Sequence, residues 1–189
     1  MVSNVDKNFV AICAYYECGG QPENPKWLKA YLDSGLVATI GIGTIRYPNG
    51  RAVKMGDRIT AEQRDEYFLH EVRAKVDKVN FYTTDKINQH QFNALVDLAY
   101  NVGTTGVQKS SLLAMLNKDT NNPLLVEKFL QWRFDNGQMV PGLLRRRMTD
   151  AYHYFTGLIK YDWTEVNWRK YSAATVKEVN AAIKKAKPC

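Results

Sequence analysis

The sequence predicts an α+β protein in which a short β-forming region is followed by a series of helices. Glycine, proline and β-forming residues dominate up to about residue 60, and helix-capping residues and apolar residues spaced by three and four recur after it. The 189 residues, 45% apolar and 24% charged, suit a globular protein with its own core. We therefore expect a single domain with an N-terminal α/β lobe over about 15–60, a helical lobe that comprises about 61–159 plus the N-terminal helix, and an extension over 160–189.

Three local patterns predict the elements of the N-terminal lobe. Apolar residues from Val10 to Tyr16 indicate a helix-like segment that ends at Glu17. The run Thr39-Ile-Gly-Ile-Gly43 predicts a strand whose threonine and glycines share one face while the two isoleucines pack inward. Tyr47-Pro-Asn-Gly-Arg51 contains an Asn-Gly turn signal between two β-like runs and predicts a hairpin.

A long helix is predicted to begin at Thr60-Ala-Glu-Gln63 and to run to about Lys78. These four residues form a capping box, in which the threonine accepts a backbone N–H and the glutamine side chain reaches back to the cap. We expect this helix to join the two lobes. Its apolar residues form one buried stripe: Phe68, Val72, Val76 and Val79.

Later helices are predicted from capping residues at their starts and from glycine or proline at their ends. The predicted segments are Asn88 to Gly103, Ser110 or Ser111 to Leu116, Asn122-Pro123 to near Trp132, Pro141-Gly142 to Gly157, and Ala173 to Lys187.

The net charge of +7 favours approach to a polyanion, whether nucleic acid, an anionic membrane or an anionic cell wall. The apolar stretch Phe9–Tyr16 is too short to span a bilayer, and no basic leader with a small-residue cleavage site is apparent. Cys13, Cys18 and Cys189 lack metal-ligand spacing and predict free thiols. We expect no metal ion or cofactor. Cys18 beside Glu17 is a conceivable nucleophile, but packing is the favoured interpretation.

Glu17 and Asp33 are the candidate catalytic carboxylates. Two carboxylates in different surroundings can divide acid and base roles at one glycosidic bond. Because Glu17 ends an apolar helical segment, we expect it at the rim of a half-buried site that penalises its charged form, as a general acid requires. Asp33 could orient a water molecule. Structural interpretations exist for both, a lysine pair for Glu17 and a turn at Asp33-Ser-Gly35.

Thr39 is the third candidate, because its hydroxyl lies beside positions that have no side chain. Such a surface indicates that something large lies against it. A barrel corner or a bulge would need only the glycines.

Several blocks of this sequence resemble the phage-type lysozymes, or endolysins, of glycoside hydrolase family 24. In that family a glutamate is followed by Tyr-x-Asp and then by Thr-Ile-Gly-x-Gly. The matching residues here are Glu17, Tyr31-Leu-Asp33, Thr39-Ile-Gly-Ile-Gly43, Gln91-Phe-Asn-Ala-Leu-Val96, Tyr100-Asn-Val-Gly103, Ser110-Ser-Leu-Leu113, Trp132 and Gly142-Leu-Leu-Arg-Arg-Arg147. The similarity covers roughly Tyr15 to Gly157 in the right order.

The resemblance implies a lysozyme-like fold and cleavage of the β-1,4 bond between N-acetylmuramic acid and N-acetylglucosamine in peptidoglycan. It implies that Glu17 is the general acid, that Asp33 positions or activates water, and that Thr39 lies near the reacting sugar. Substrate-binding residues suggested in the same way are Ile45, Tyr100, Asn101 and Ser111.

Two departures from the family pattern stand out. Thr44 occupies the place where the family usually has a histidine after the Gly-x-Gly, so the ion pair that this histidine can make is absent. The segment between Glu17 and Asp33 is longer than usual and includes the glycine- and proline-containing loop Cys18–Lys26. This loop offers Glu23 as a rival acid. We favour Glu17 because it ends the apolar helical run.

Peptidoglycan is the implied partner, since its peptide-stem carboxylates attract a basic protein. We expect a monomer that binds no nucleic acid and has no stable membrane insertion. Without an export signal, the chain is expected to be made in the cytoplasm of a bacterial host and to reach the wall through a membrane lesion made by another protein. Three other functions stay open: a non-catalytic wall-binding module on the same fold, a nucleic-acid-binding helical protein, and a lytic transglycosylase that releases anhydro products.

Two remaining groups receive structural interpretations. Arg145, Arg146 and Arg147 cannot all share one helix face, so we expect a mostly solvated run. The aromatic residues of the extension are expected to pack back onto the helical lobe rather than to bind sugar. They are Trp163, Trp168 and Tyr171.

Overall fold

The computed structural model describes residues 4–33, 35–83, 87–164 and 173–186. The chain divides into two compact units. One unit is Val10–Ala74, and the other combines Met1–Phe9 with Lys75–Cys189.

Short antiparallel strand pairs and eight helices make up the described secondary structure. The helices are α1 Lys7–Glu17, α2 Ala61–Tyr82, α3 Gln89–Val102, α4 Thr104–Gln108, α5 Ser111–Leu116, α6 Leu125–Leu130, α7 Pro141–Thr156 and α8 Ala173–Lys185, with one 3-10 helix at Pro25–Leu28. The strands are β1 Tyr31–Leu32, β2 Ala38–Thr39, β3 Phe134–Asp135 and β4 Gln138–Met139. β1 pairs with β2 and β3 pairs with β4.

Helix starts and ends follow the local capping signals closely. At the start of α2, the Thr60 N–H donates to the Gln63 side chain (3.0 Å) and the Gln63 N–H donates to the Thr60 hydroxyl (3.2 Å), which confirms the capping box. Asn88 caps α3 in the same way, and Gly157 ends α7 in the left-handed conformation. The four residues of the predicted stripe on α2 are all buried.

The predicted start of α6 at Asn122-Pro123 is wrong. The Asn122 side chain accepts the N–H of Leu124 (3.0 Å) and so forms a turn, and the helix begins only at Leu125. Ser110 rather than Ser111 caps α5, since its hydroxyl accepts the Leu113 N–H at 3.0 Å.

The β3–β4 hairpin is absent from the prediction, although its turn carries a familiar signal. Asn136 and Gly137 both have positive φ, 47° and 76°, as a two-residue hairpin turn requires. The same Asn-Gly dipeptide is present near residue 50. The chain reverses direction there, and the Tyr47 N–H donates a hydrogen bond to the Arg51 carbonyl (2.9 Å). Two-residue strands were too short to be recognised from residue alternation.

The predicted strand over Thr39–Gly43 is wrong beyond Thr39, because the chain turns there. Gly41 and Gly43 have φ of 64° and 82°, and Ile40 and Thr44 exchange two backbone hydrogen bonds of 2.9 and 3.0 Å across the turn. A Cβ on Gly41 would lie 3.0 Å from the Arg64 side chain, so the group that packs against Gly41 belongs to the protein itself.

The isoleucines of this segment do pack inward, as predicted. Ile40 and Ile42 are fully buried, and Ile40 forms a hydrophobic cluster with Tyr47 and Val53. This cluster supports β2 and the turn that follows it.

The solvated interpretation of the arginine run is wrong, because two of the three arginines are buried between α3 and α7. Arg146 donates two hydrogen bonds of 2.8 Å to the carboxylate of Asp97, which is fully buried on α3. Arg147 lies 3.2 Å from the same carboxylate and 2.8 Å from that of Asp150. The helix therefore directs two neighbouring guanidinium groups inward because buried aspartates compensate their charge.

Trp163 packs back onto the helical unit, as predicted. It is 6% exposed, its indole N–H donates to the Thr149 hydroxyl (3.0 Å), and its ring meets that of Tyr152 edge to face. Trp168 and Tyr171 lie outside the described residues.

His153 provides a buried imidazole between α3 and the end of α7. Its Nδ1 lies 3.2 Å from the Leu158 carbonyl and its Nε2 lies 3.5 Å from the Asn93 side-chain amide. A carbonyl only accepts, so Nδ1 carries the hydrogen and Nε2 accepts from the amide. Both ring nitrogens are thus matched in the neutral form, and burial lowers the pKa of His153 below its ordinary value near 6.5.

Stability is therefore expected to fall on acidification. The unfolded chain takes up a proton at this imidazole as the pH drops through about 6.5, whereas the folded protein does so only at lower pH. The resulting loss of unfolding free energy is absent above about pH 6.5 and grows as the pH falls below it. Urea unfolding at pH 8 and pH 5.5 should give a smaller acid-induced loss for His153→Gln than for wild type. Equal losses in the two proteins would contradict the assignment.

Candidate active site

A cavity of about 640 Å³ in the Val10–Ala74 unit brings the three candidate catalytic residues together. Glu17, Asp33 and Thr39 all contribute to its wall. The other lining residues are Lys26, Trp27, Tyr31, Leu32 and Gly43.

Asp33 is held by the turn between β1 and β2. Its Oδ1 accepts the N–H groups of Gly35 (2.8 Å) and Val37 (2.9 Å), and its own N–H donates to the Val37 carbonyl at 3.0 Å. Among the described residues, Oδ2 accepts no hydrogen bond. One carboxylate oxygen therefore fixes the turn, and the geometry leaves the other able to accept from a water molecule.

Thr39 lies on β2, directly opposite Tyr31 of β1. It is 3% exposed, and its hydroxyl donates to the Val37 carbonyl (3.0 Å). With its hydrogen directed to that carbonyl, the oxygen can still accept a hydrogen bond from a group in the cavity.

Glu17 is the last residue of α1 and is exposed, so the prediction of half-buried surroundings is wrong. Gly19 and Gly20 follow in left-handed conformations, φ 58° and 79°, and end the helix immediately after it. Glu17 nevertheless lines the cavity. Glu23 is exposed as well, but it does not belong to the cavity wall formed by the described residues.

The aromatic part of the cavity wall was not identified from the sequence. Trp27 and Tyr31 meet edge to face with ring centres 5.2 Å apart, and the Trp27 indole N–H donates to the Gln21 carbonyl (2.9 Å). The Lys26 ammonium lies 4.3 Å from the Trp27 ring centre. Two aromatic residues shortly before a candidate catalytic aspartate were the available signal, because their flat apolar faces suit sugar rings.

Burial and nearby carboxylates keep two neighbouring groups neutral. Burial, aided by Cys18, Glu17 and Asp33, raises the pKa of Tyr31 to about 12, so its hydroxyl remains a hydrogen-bond donor near neutral pH. Burial also raises the pKa of Cys18 to about 11. Cys18 is 2% exposed. A buried thiol with a raised pKa is a poor nucleophile, which confirms the packing interpretation.

Thr44 follows the turn where the resembled family usually has a histidine. It is 2% exposed, and its hydroxyl has no hydrogen-bond partner among the described residues. Ile45, the next residue, is 46% exposed and is not part of the cavity wall described above.

Three of the predicted substrate-binding residues belong to the other unit. Tyr100 is half-buried, with the Lys75 ammonium 5.1 Å from its ring centre. Asn101 lines a separate cavity of about 400 Å³, and Trp132 and Asp135 also line it. Ser111 is exposed at the start of α5.

The described residues contain no group of three or more His, Cys, Asp or Glu side chains arranged to hold a metal ion. Within the same ranges, each helix is too short or too polar to cross a lipid bilayer.

Comparison with known proteins identifies clear relatives. The phage lysozyme family model matches residues 26–150. The endolysin of Bacillus phage PZA is 35% identical over 133 residues, covering 70% of this chain and 50% of that protein. The endolysin of Salmonella phage P22 is 32% identical over 111 residues, covering 59% of this chain and 75% of that protein.

A solved structure shows the same fold. The endolysin from Escherichia coli O157:H7 phage FAHEc1 is 32% identical with a TM-score of 0.70, covering 83% of this chain and 96% of that one. The predicted lysozyme-like α+β fold is thus confirmed. The chain spans about half the length of the phage PZA endolysin, and the match to the family model begins after Glu17.

Proposed function

Because this chain belongs to the phage lysozyme family, we propose that it is a peptidoglycan hydrolase that cleaves the β-1,4 bond between N-acetylmuramic acid and N-acetylglucosamine. The observation that carries this proposal is the cavity in the Val10–Ala74 unit, which Glu17, Asp33 and Thr39 line together. Two carboxyl groups and a hydroxyl in one cavity match the needs of glycoside hydrolysis.

In the proposed reaction, Glu17 protonates the glycosidic oxygen as the bond to the anomeric carbon breaks. Water attacks that carbon, and its proton passes to the Asp33 carboxylate. The two backbone N–H groups on Oδ1 support this role, because they fix the carboxylate through one oxygen and leave Oδ2 to accept from the water. Thr39 would accept a hydrogen bond from the same water or from the sugar.

The cavity wall also suits a saccharide. Trp27 and Tyr31 offer aromatic faces, and the neutral Tyr31 hydroxyl can donate to a sugar oxygen. Lys26 adds a positive charge at the same wall. We further propose substrate contacts outside this cavity by the four residues that the family resemblance suggests: Ile45, Tyr100, Asn101 and Ser111.

The name endolysin, given to the relatives, suggests the biological setting of this activity. We propose that the protein is a monomer made in the bacterial cytoplasm, and that it degrades the cell wall after another protein opens the membrane. Its net charge of +7 would hold it near an anionic wall.

Product analysis tests the proposal. Purified protein incubated with peptidoglycan should release fragments that end in reducing N-acetylmuramic acid, detectable by borohydride reduction and mass spectrometry. Anhydro ends would instead identify a lytic transglycosylase. Binding to the wall without new ends would identify a non-catalytic module.

A further inference from the structure

A second cavity in the Val10–Ala74 unit shares none of the described lining residues of the candidate active site. Its volume of about 350 Å³ is within the range of small-molecule sites. The turn around residue 50 and the first turns of α2 contribute to its wall. The polar and aromatic residues that line it include Tyr47, Arg51, Arg58, Gln63, Glu66 and Tyr67.

The aromatic part of this wall resembles that of the candidate active site. The rings of Tyr47 and Tyr67 meet edge to face with centres 5.3 Å apart, and the Arg51 guanidinium carbon lies 4.3 Å from the Tyr47 ring centre. The corresponding distances in the candidate active site are 5.2 Å for its aromatic pair and 4.3 Å for its lysine. Both cavities therefore combine an aromatic pair with a cation, and flat apolar faces of this kind suit sugar rings.

Hydrogen bonds within the protein fix several groups of this wall. The Asp57 carboxylate accepts from the Tyr47 hydroxyl (2.9 Å) and from the Arg51 guanidinium (3.1 Å). The Gln63 side-chain oxygen accepts the Thr60 N–H (3.0 Å) in the capping box of α2. Among the described residues, the NH2 group of Gln63 makes no hydrogen bond, so it is able to donate to a ligand. A wall fixed in this way lowers the entropic cost of binding.

The charges of this wall balance. Arg51 is paired with Asp57 at 3.1 Å. Arg58 and Glu66 add one positive and one negative charge, and neither has an ion-pair partner among the described residues. A balanced wall does not select a polyanion. It does offer donors and an acceptor side by side, which is what the neighbouring hydroxyl groups of a sugar require.

We propose that this cavity binds a neutral hexopyranose unit of a polysaccharide strand, such as an N-acetylhexosamine, without cleaving it. The inference goes beyond the proposed hydrolysis, because it concerns a second site with its own residues. Glu66 is the one carboxylate among the described lining residues, whereas glycoside hydrolysis uses a pair. Attachment at this site keeps the protein on an insoluble polysaccharide, since a further binding event on the same polymer is then intramolecular.

A nuclear magnetic resonance titration tests the site directly. The Glu17→Gln protein is titrated with the β-1,4-linked tetramer of N-acetylglucosamine, and the side-chain NH2 signals of Gln63 should shift and saturate. Adding Arg58→Ala and Glu66→Ala together should weaken this saturation about tenfold, because both remove hydrogen bonds that involve a charged group. Both residues are exposed, so the fold should persist, and the melting temperature checks this.

Arg46→Ala combined with Glu62→Ala is the matched control. Both residues are exposed in the same unit and lie outside the described wall of this cavity, and the pair makes the same change in charge. The saturation of the Gln63 signals should be the same as without these two substitutions. Gln63 signals that do not respond to the tetramer, or equal weakening in the two double variants, would overturn the proposed site.

Other ligands and failure of the proposed function give distinguishable results. If the Gln63 signals respond to peptidoglycan stem peptides or to polyphosphate but not to the tetramer, the cavity binds that ligand and the sugar assignment is wrong. A wild-type protein without hydrolytic activity would overturn the proposed function alone, because the titration measures binding and needs no cleavage.

Discussion

Replacing Glu17 with glutamine is expected to lower the rate of peptidoglycan hydrolysis about 100- to 10,000-fold. Glutamine keeps the size of the side chain but cannot donate a proton to the leaving oxygen, and general acid catalysis contributes a factor of this order. Glu17 is exposed at the end of α1, so the substitution should leave the fold intact. The rate is measured from new reducing ends on purified peptidoglycan, and the melting temperature serves as the check on folding.

Glu23→Gln is the matched control. It makes the same chemical change at another exposed glutamate of the loop that follows α1, and the described cavity wall does not include Glu23. Its activity should stay within about twofold of wild type. If Glu23→Gln abolished activity and Glu17→Gln did not, the acid would be Glu23, and the longer loop would have taken over its role.

Replacing Asp97 with alanine is expected to cost about 3–5 kcal/mol of unfolding free energy. Asp97 is fully buried and accepts hydrogen bonds from the guanidinium groups of Arg146 and Arg147. Its removal leaves two buried cations with one remaining aspartate, and breaking a buried ion pair from one side has this cost. Urea unfolding gives the change directly.

Asp162→Ala provides the comparison for this prediction. Asp162 pairs with Lys160 at 2.7 Å, a distance close to those of the buried pairs, but its side chain is 87% exposed. Water and salt screen such a pair, so the unfolding midpoint should hardly move. Similar losses for both substitutions would mean that burial does not control the strength of these ion pairs.

Local signals were enough to predict most of the helices. The capping boxes at Thr60 and Asn88 and the glycine after α7 act on their own backbone neighbours, so the chain within a few residues specifies them. The burial of the stripe on α2 was predictable for a related reason, since side chains at intervals of three and four share one helix face.

Features that depend on distant residues were not predictable in this way. From the sequence, Arg146 is expected to be solvated. It is buried instead because α3 places Asp97 beside it, and this depends on how the helices pack. Gly41 and Gly43 alternate as in a strand, yet their positive φ values turn the chain instead. Residue alternation cannot distinguish the two because both conformations suit glycine.

The sequence by itself determined the family and the identity of the candidate catalytic residues, because Glu17, Asp33 and Thr39 stand in a recognisable order along the chain. Only the tertiary structure decided how they are placed. It brought them to one cavity, exposed Glu17, fixed Asp33 through backbone N–H groups and added Trp27 and Tyr31 to the wall. The physical reason is that residue type sets which chemistry is possible, whereas burial, hydrogen bonding and the neighbours in space follow from how the whole chain packs.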